Sequence, residues 1–269
     1  MPRLLPLEDE EISQMMEREL KKRSVDVRTG VTVEEVVRHP EGRHGPSAGW
    51  IVDQCRAVPG LGRPGFNSHG IGLEVAGVQV GSRGQILVND RMGQCAGRLC
   101  HRRRGRQGHV GPCGFGKGKV AVENLLGMEK TINYDVIPAG IFTLPEIGRV
   151  GLTEQQAQDR CAAAGQDAQK ALKVGRFRYG GLGKAQASGD IQGLVKVIAD
   201  AATDRILGVH ILGAHAADLV HEAALAMQVG ATATAVGDMI HAHPTLAEGL
   251  MEAMEDVHGR AVHLARKAP

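Results

Sequence analysis

Moving protons near neutral pH calls for an imidazole whose tautomer is fixed, and one stretch of this chain holds the parts: His241-Ala242-His243-Pro244-Thr245-Leu246-Ala247-Glu248. The proline biases His243 away from the helical region, and helical spacing of apolar and small residues resumes over 246–254. His243 is therefore expected on a turn that opens a helix. Glu248 follows about one and a half turns on, within reach of an imidazole at the helix entrance. A carboxylate on one ring nitrogen would fix the tautomer and raise the basicity of the other, the arrangement of a base and its orienter. On spacing alone, a capped surface helix carrying a chance His and Glu is the commoner outcome, and both readings stand at this point.

The elements that must position this pair are legible upstream. Thr153 is placed to cap a helix with Glu154 and Gln156 in its first turn. Strands are expected over 171–179, 193–199 and 205–212, the middle one with one face more buried than the other, and 180–189 as a loop. Residues 200–204 read as a hairpin turn, Ala216–Val229 as a helix stopped by Gly230, and 234–240 as a short helix leading into the motif. Nearer the start, 9–22 is an amphipathic helix with acids first and bases last, matching the helix dipole. Short strands are expected at 24–29 and 31–37, then a proline- and glycine-rich loop at 59–65, and a short helix at 120–126 ended by Gly127.

Composition narrows the class of protein without naming a reaction. Lys plus Arg number 32 against 30 Asp plus Glu, too even to imply nucleic acid or a membrane surface as a general partner. No apolar run spans a bilayer and no signal-peptide pattern opens the sequence, so a cytoplasmic location is the expectation. The five cysteines, Cys55, Cys95, Cys100, Cys113 and Cys161, form no disulfide framework. His215 and His221 face apart on their helix and are read as capping and surface residues rather than as a metal pair.

The segment HAHPTLAEGLMEA, with GVHILGAHAADLVHEAALAM before it, resembles the active-site region of the dihydrolipoyl dehydrogenases, in the flavin-dependent pyridine nucleotide-disulfide oxidoreductase family. Glutathione reductases share a His-Pro-Thr step but differ around it, and mercuric reductases lack it. The resemblance implies that His243 is the general base serving a redox dithiol beside FAD, that Glu248 orients it, and that a C-terminal domain forms a homodimer delivering this pair to the partner's active site. It also implies a cis His243-Pro244 bond, NAD as electron acceptor and a lipoyl-bearing protein as partner. The fold expected is α/β in three parts. Residues 1–90 resemble the later part of an NAD-binding domain, 91–130 a disrupted FAD-domain remnant, and 131–269 an intact dimerisation domain, an antiparallel sheet covered by helices. The Gly-rich phosphate loop that should precede helix 9–22 is missing, and no C-x4-C redox pair stands in a family-like N-terminal helix; Cys95 and Cys100 have the spacing but lie in an aberrant stretch. The chain alone is thus expected to bind neither FAD nor NAD and to be inactive, with association to itself or to a full-length subunit retained. The alternative is a non-catalytic dimerisation module.

The aberrant stretch is 94–116, QCAGRLCHRRRGRQGHVGPCGFG, inside a region from Arg91 to Lys119 with eight Lys or Arg and no acid. It could be a basic patch for nucleic acid or anions. It could be a metal site from Cys95, Cys100, His101, His109 and Cys113, although the paired C-x-x-C knuckle of a zinc site is absent. The third reading is a shifted reading frame. Permitted codons for 97–117, moved forward by one nucleotide, can spell Gly-Val-Tyr-Ala-Ile-Gly-Asp-Val-Val-Gly-Lys-Ala-Met-Leu-Ala-His-Val-Ala-Ser-Ala, which resembles the family's second flavin-binding motif. This is the reading adopted, and under it the FAD-binding motif of the family no longer exists near Gly97 to Gly108; a similar, shorter match near 60–66 can give Ser-Val-Gly-Arg.

Overall fold

A computed structural model of the chain describes residues 2–32, 66, 68–75, 77–82, 84–89, 91–93 and 111–264, with backbone alone for 111–113. The chain resolves into two compact units, residues 1–30 together with 104–269, and residues 31–103.

The larger unit is built on a five-stranded antiparallel sheet of order β1-β2-β5-β4-β3: β1 is Ala139–Ile141, β2 Glu146–Gly151, β3 Leu172–Arg178, β4 Leu194–Asp200 and β5 Ile206–Gly213. The helices are α1 (Glu10–Lys22), α2 (Gly111–Leu125), α3 (Glu154–Ala163), α4 (Ala168–Ala171), α5 (Gly183–Ser188), α6 (Ala216–Val229), α7 (Ala233–Gly237) and α8 (Glu248–Asp256). The α/β expectation holds. Thr153 caps α3 through a reciprocal box, its Oγ1 accepting from Gln156 N at 3.2 Å while Gln156 Oε1 accepts from Thr153 N at 3.0 Å. Gly230 ends α6 at φ 73°, a left-handed conformation that suits glycine.

One face of the sheet carries α6, α7 and α8 over a core that includes Val150, Val195, Val197, Val209, Ile211, Ala223, Leu250 and Met254. Close approach requires glycines here. A Cβ on Gly148 of β2 would run into the Ala216 carbonyl at the start of α6, and one on Gly175 of β3 into the Ala253 carbonyl of α8.

The other face is where the structure departs from the sequence reading of β4, which is buried on both sides. α1 covers it. Ile12 and Met16 pack with Ile147, Leu194 and Leu212 in a second core cluster. Beside that cluster the strand registers align Arg149 of β2 with His210 of β5, His210 with Lys196 of β4, and Lys196 with Arg176 of β3. This row of basic side chains crosses four strands and meets acids from the segment leading into α1, from the first turn of α1 and from α3. Glu8 bonds Arg149 at 2.9 Å, Asp9 bonds Lys196 at 2.7 Å, Glu11 bonds Arg176 at 2.8 Å, and Glu154 takes both Lys196 at 2.8 Å and Arg176 at 3.1 Å. Asp9 does three jobs, since it also caps α1 at Glu11 N and accepts from Glu154 N at 3.1 Å. Burial opposes the charges of Asp9 and Lys196, yet their mutual hydrogen bond and the neighbouring charges outweigh it, lowering Asp9 and raising Lys196.

Other local expectations are corrected. Residues 24–29 form no strand; Val25 is exposed, and no described residue builds a ladder against them. Residues 180–189 are not a plain loop but a 3-10 turn, Tyr179–Gly181, and then α5, because Leu182 and Ala185 are drawn into the core. α2 starts nine residues before the expected helix at 120 and so takes in the last part of the aberrant 94–116 stretch. Its Gly114, Gly116 and Gly118 hide it from a propensity argument, each costing about 1 kcal/mol against alanine. α7 is shorter than expected, leaving Met239 and Ile240 exposed in the approach to the motif. In the smaller unit Val80 pairs with Ile86 across a tight hairpin. Segments 33–65 and 94–110, including the 59–65 loop and the arginine run, lie outside the described residues.

Candidate functional site

The turn between α7 and α8 brings His243 and Glu248 together. His243 Nδ1 donates to Glu248 Oε1 at 2.8 Å, and Glu248 Oε2 accepts from Thr245 N at 2.8 Å. Ala247, at the N-cap of α8, supplies no side-chain cap, so the first glutamate of the helix folds back and serves the turn that precedes it. Thr245 Oγ1 closes that turn on Ala242 O at 2.8 Å. The His243-Pro244 bond is cis, as is Leu144-Pro145. Leu246 anchors the C-terminal side of the turn in the core.

The electrostatics of the pair favour an ionised Glu248. Burial works against charge on Glu248, but the Thr245 N–H and the His243 ring outweigh it and hold the carboxyl below its ordinary range. An ionised Glu248 accepts only, so Nδ1 carries the proton and Nε2 presents its lone pair. The ring is 74% exposed while the Glu248 side chain is 15% exposed. The imidazole is thus tethered at one nitrogen and open at the other.

Three more histidine–carboxylate pairs surround the α7–α8 region. His241 Nε2 lies 2.9 Å from Glu222 Oε1 of α6, His258 Nε2 lies 2.8 Å from Asp204 Oδ1, and His263 Nδ1 lies 2.6 Å from Glu252 Oε1. Buried Glu252 also accepts from Val262 N at 2.9 Å and so ties down the chain after α8. Sequence reasoning assigned no role to Glu222 or His241, which stand 19 positions apart with no spacing rule to join them. The row beneath α1 was equally hidden, since its members come from four strands.

No group of three His, Cys, Asp or Glu suited to a metal exists among the described residues. Cys95, Cys100, His101 and His109 lie outside them, as does the Cys113 side chain; Cys161 is a free, buried thiol. His215 makes no side-chain cap on α6, contrary to its expected role; it stands before the helix in a left-handed conformation, 3.7 Å from Asp218. His221 is exposed, as expected. No described helix is long and apolar enough to cross a membrane.

Comparison with known proteins bears directly on this region. The family model for the pyridine nucleotide-disulphide oxidoreductase dimerisation domain matches residues 137–254, and the model for pyridine nucleotide-disulphide oxidoreductases matches residues 1–44. The dihydrolipoyl dehydrogenase of Thermus scotoductus is 37% identical over 276 residues, covering 99% of this chain and 57% of that protein. The mitochondrial dihydrolipoyl dehydrogenase of Pisum sativum is 32% identical over 97% of this chain and 52% of its own length. Over 147 residues, 55% of this chain and 29% of the relative, identity to the dihydrolipoyl dehydrogenase of Halobacterium salinarum reaches 44%. The chain spans little more than half the length of the first two. Among solved structures, LpdA from Mycobacterium tuberculosis matches with a TM-score of 0.73 at 22% identity, over 93% of this chain and 53% of that one, a likeness of fold. Two family models at opposite ends of the chain, together with relatives aligned along nearly all of it, place the protein in the pyridine nucleotide-disulphide oxidoreductase family, beside the dihydrolipoyl dehydrogenases.

Proposed function

We propose that the chain supplies the dimerisation surface and the general base of a dihydrolipoyl dehydrogenase, with His243 as the base and Glu248 as its orienter. The observation that carries this reading is the tethered, outward-facing imidazole: Nδ1 bonded to Glu248, Nε2 open, the ring largely exposed. A base that serves its own subunit is normally enclosed by it. One that serves a partner subunit must protrude from the unit that holds it. In that role Nε2 takes the proton of a thiol on a lipoyl-bearing protein, and Glu248 stabilises the imidazolium that forms. Leu225 and Val229, 64% and 70% exposed on one stripe of α6, supply apolar area for a second copy or a full-length subunit.

In the family FAD and NAD pass the electrons, but the starts of α1, α3, α6 and α8 do not fit a dinucleotide diphosphate. That of α1 is closed by Asp9 with Glu10 and Glu11 behind it, that of α3 by Thr153 and Gln156 with Glu154, and α8 opens on Glu248. At α6 the Ala217 N–H is already taken by Glu146 Oε2 at 3.2 Å. Each site sets negative charge where phosphate would need donors. The purified chain is therefore expected to be colourless; a stoichiometric flavin absorbance band would overturn that.

The deciding experiment mixes this chain with a full-length family dehydrogenase whose own motif histidine has been replaced by glutamine. If His243 acts across the interface, mixed dimers recover NAD reduction by dihydrolipoamide, and the His243→Gln chain loses that rescue by about 100-fold or more. Mixed dimers that form without any rescue would instead make the chain a non-catalytic dimerisation module.

A further inference from the structure

We propose that Glu222 and His241 form a clamp that positions His243. This rests on the reading of His243 as the base and goes beyond the Glu248 contact.

The His241 side chain is only 3% exposed although it stands two residues before the exposed His243. Both of its ring nitrogens face acceptors. Nε2 lies 2.9 Å from Glu222 Oε1, and Nδ1 lies 2.9 Å from the Met239 carbonyl oxygen. A carbonyl never donates and an ionised carboxylate only accepts, so both contacts are hydrogen bonds only when both nitrogens carry hydrogen. Glu222 and the Met239 carbonyl thus hold the ring from its two nitrogens.

The two ends of this bond differ in rigidity. Glu222 rides on α6, which is fixed to the sheet by the buried Ala216, Val220 and Ala223 and by the close approach that Gly148 permits. His241 belongs to the irregular connection between α7 and α8, where Met239 and Ile240 are exposed and contribute no apolar anchor. Leu246 secures the far side of the same connection in the core. His243 is suspended between these two attachments, and its bond to Glu248 requires the backbone of the turn to be set from both sides. Remove the clamp and the near side is held by backbone turns alone, so the imidazole is free to leave Glu248 and its tautomer is no longer fixed.

The test reads that tautomer in the purified chain by long-range proton–nitrogen correlation of the histidine rings, at a pH where His243 is neutral. In the unmodified chain His243 should be in the Nδ1–H form. Glu222→Ala should lose that dominance and show the tautomer mixture of a free histidine side chain. Glu222→Gln keeps an acceptor for Nε2 and should retain the Nδ1–H form. A folded Glu222→Ala chain with the His243 tautomer unchanged would overturn the proposal, as would equal loss in the Ala and Gln variants. A purely structural role would lower the melting temperature without moving the tautomer. Should Glu222→Ala fail to fold, His241→Gln still reaches toward Glu222 but cannot bridge to Met239 as well; it should lose the Nδ1–H form in part, and an unchanged tautomer there counts equally against the clamp. No turnover is involved, so failure here leaves the base assignment standing, and that assignment rests separately on the His243→Gln mixing experiment.

Discussion

At the scale of single residues, two histidines show how differently one side chain can be used. His243 is exposed and tethered to Glu248 at one nitrogen, whereas His210 is 1% exposed with Nε2 on the Leu152 carbonyl at 2.8 Å and Nδ1 without a partner. Burial pushes the His210 pKa down, against the Leu152 hydrogen bond and the nearby Asp9 charge. A native pKa below the unfolded value gives stability that is whole above about pH 6.5 and is lost as the pH falls through the depressed native value, because the unfolded chain then binds a proton that the native state refuses. His210→Asn should remove that dependence: urea midpoints followed from about pH 7 to pH 5 should fall less steeply than in the unmodified chain. Parallel slopes would show that other groups govern the acid limb.

At the scale of elements, the organising event is the docking of α1 on the face of the sheet that strand alternation would leave polar. Lys196 is 3% and Asp9 1% exposed, so removing one leaves the other charged in a dry site. Lys196→Met should cost about 3–5 kcal/mol in urea unfolding, well beyond the effect expected of a surface ion pair. Gly148→Ala should cost about 1–3 kcal/mol, since neither β2 nor α6 has room to retreat from the added methyl. These features mark the limit of what the sequence could tell. Thr153 with Gln156, Gly230 and the spacing of Leu219, Ala223 and Met227 are local signals, and the elements they imply are present. His243 and Glu248 are likewise close in sequence, and their meeting was foreseeable. Lys196 read as the polar side of β4 because its partners come from residues 9, 11 and 154, and nothing in a strand's own alternation records a helix far away in the chain. Glu222 and His241 were silent for the same reason.

At the scale of the whole molecule, the apolar stripe on α6 and the basic stretch each lead to a measurement. Light scattering at micromolar concentration should give a dimer mass, and Leu225→Glu should reduce it to a monomer by placing a charge on the exposed apolar stripe of α6. For residues 94–116 the gene is the test. If the frame is shifted, the nucleotides moved by one must spell the Gly-Val-Tyr-Ala-Ile-Gly-Asp reading, with a single-base gain or loss near 92–94 and a compensating one near 117–119. Any codon incompatible with that reading would return Arg102 to Arg104 to consideration as a binding patch. The larger unit also has a history written into its connectivity. Asp9 and Lys196 are 187 positions apart, and β5, which supplies Leu212 to the same cluster, follows later still. During synthesis α1 precedes the strands it packs on, so Ile12 and Met16 must wait uncovered until β4 and β5 have emerged. Contacts this distant close slowly and leave apolar surface open to wrong partners in the interval. The yield of folded protein should therefore depend on how long α1 stays free of aggregation before β4 and β5 cover it.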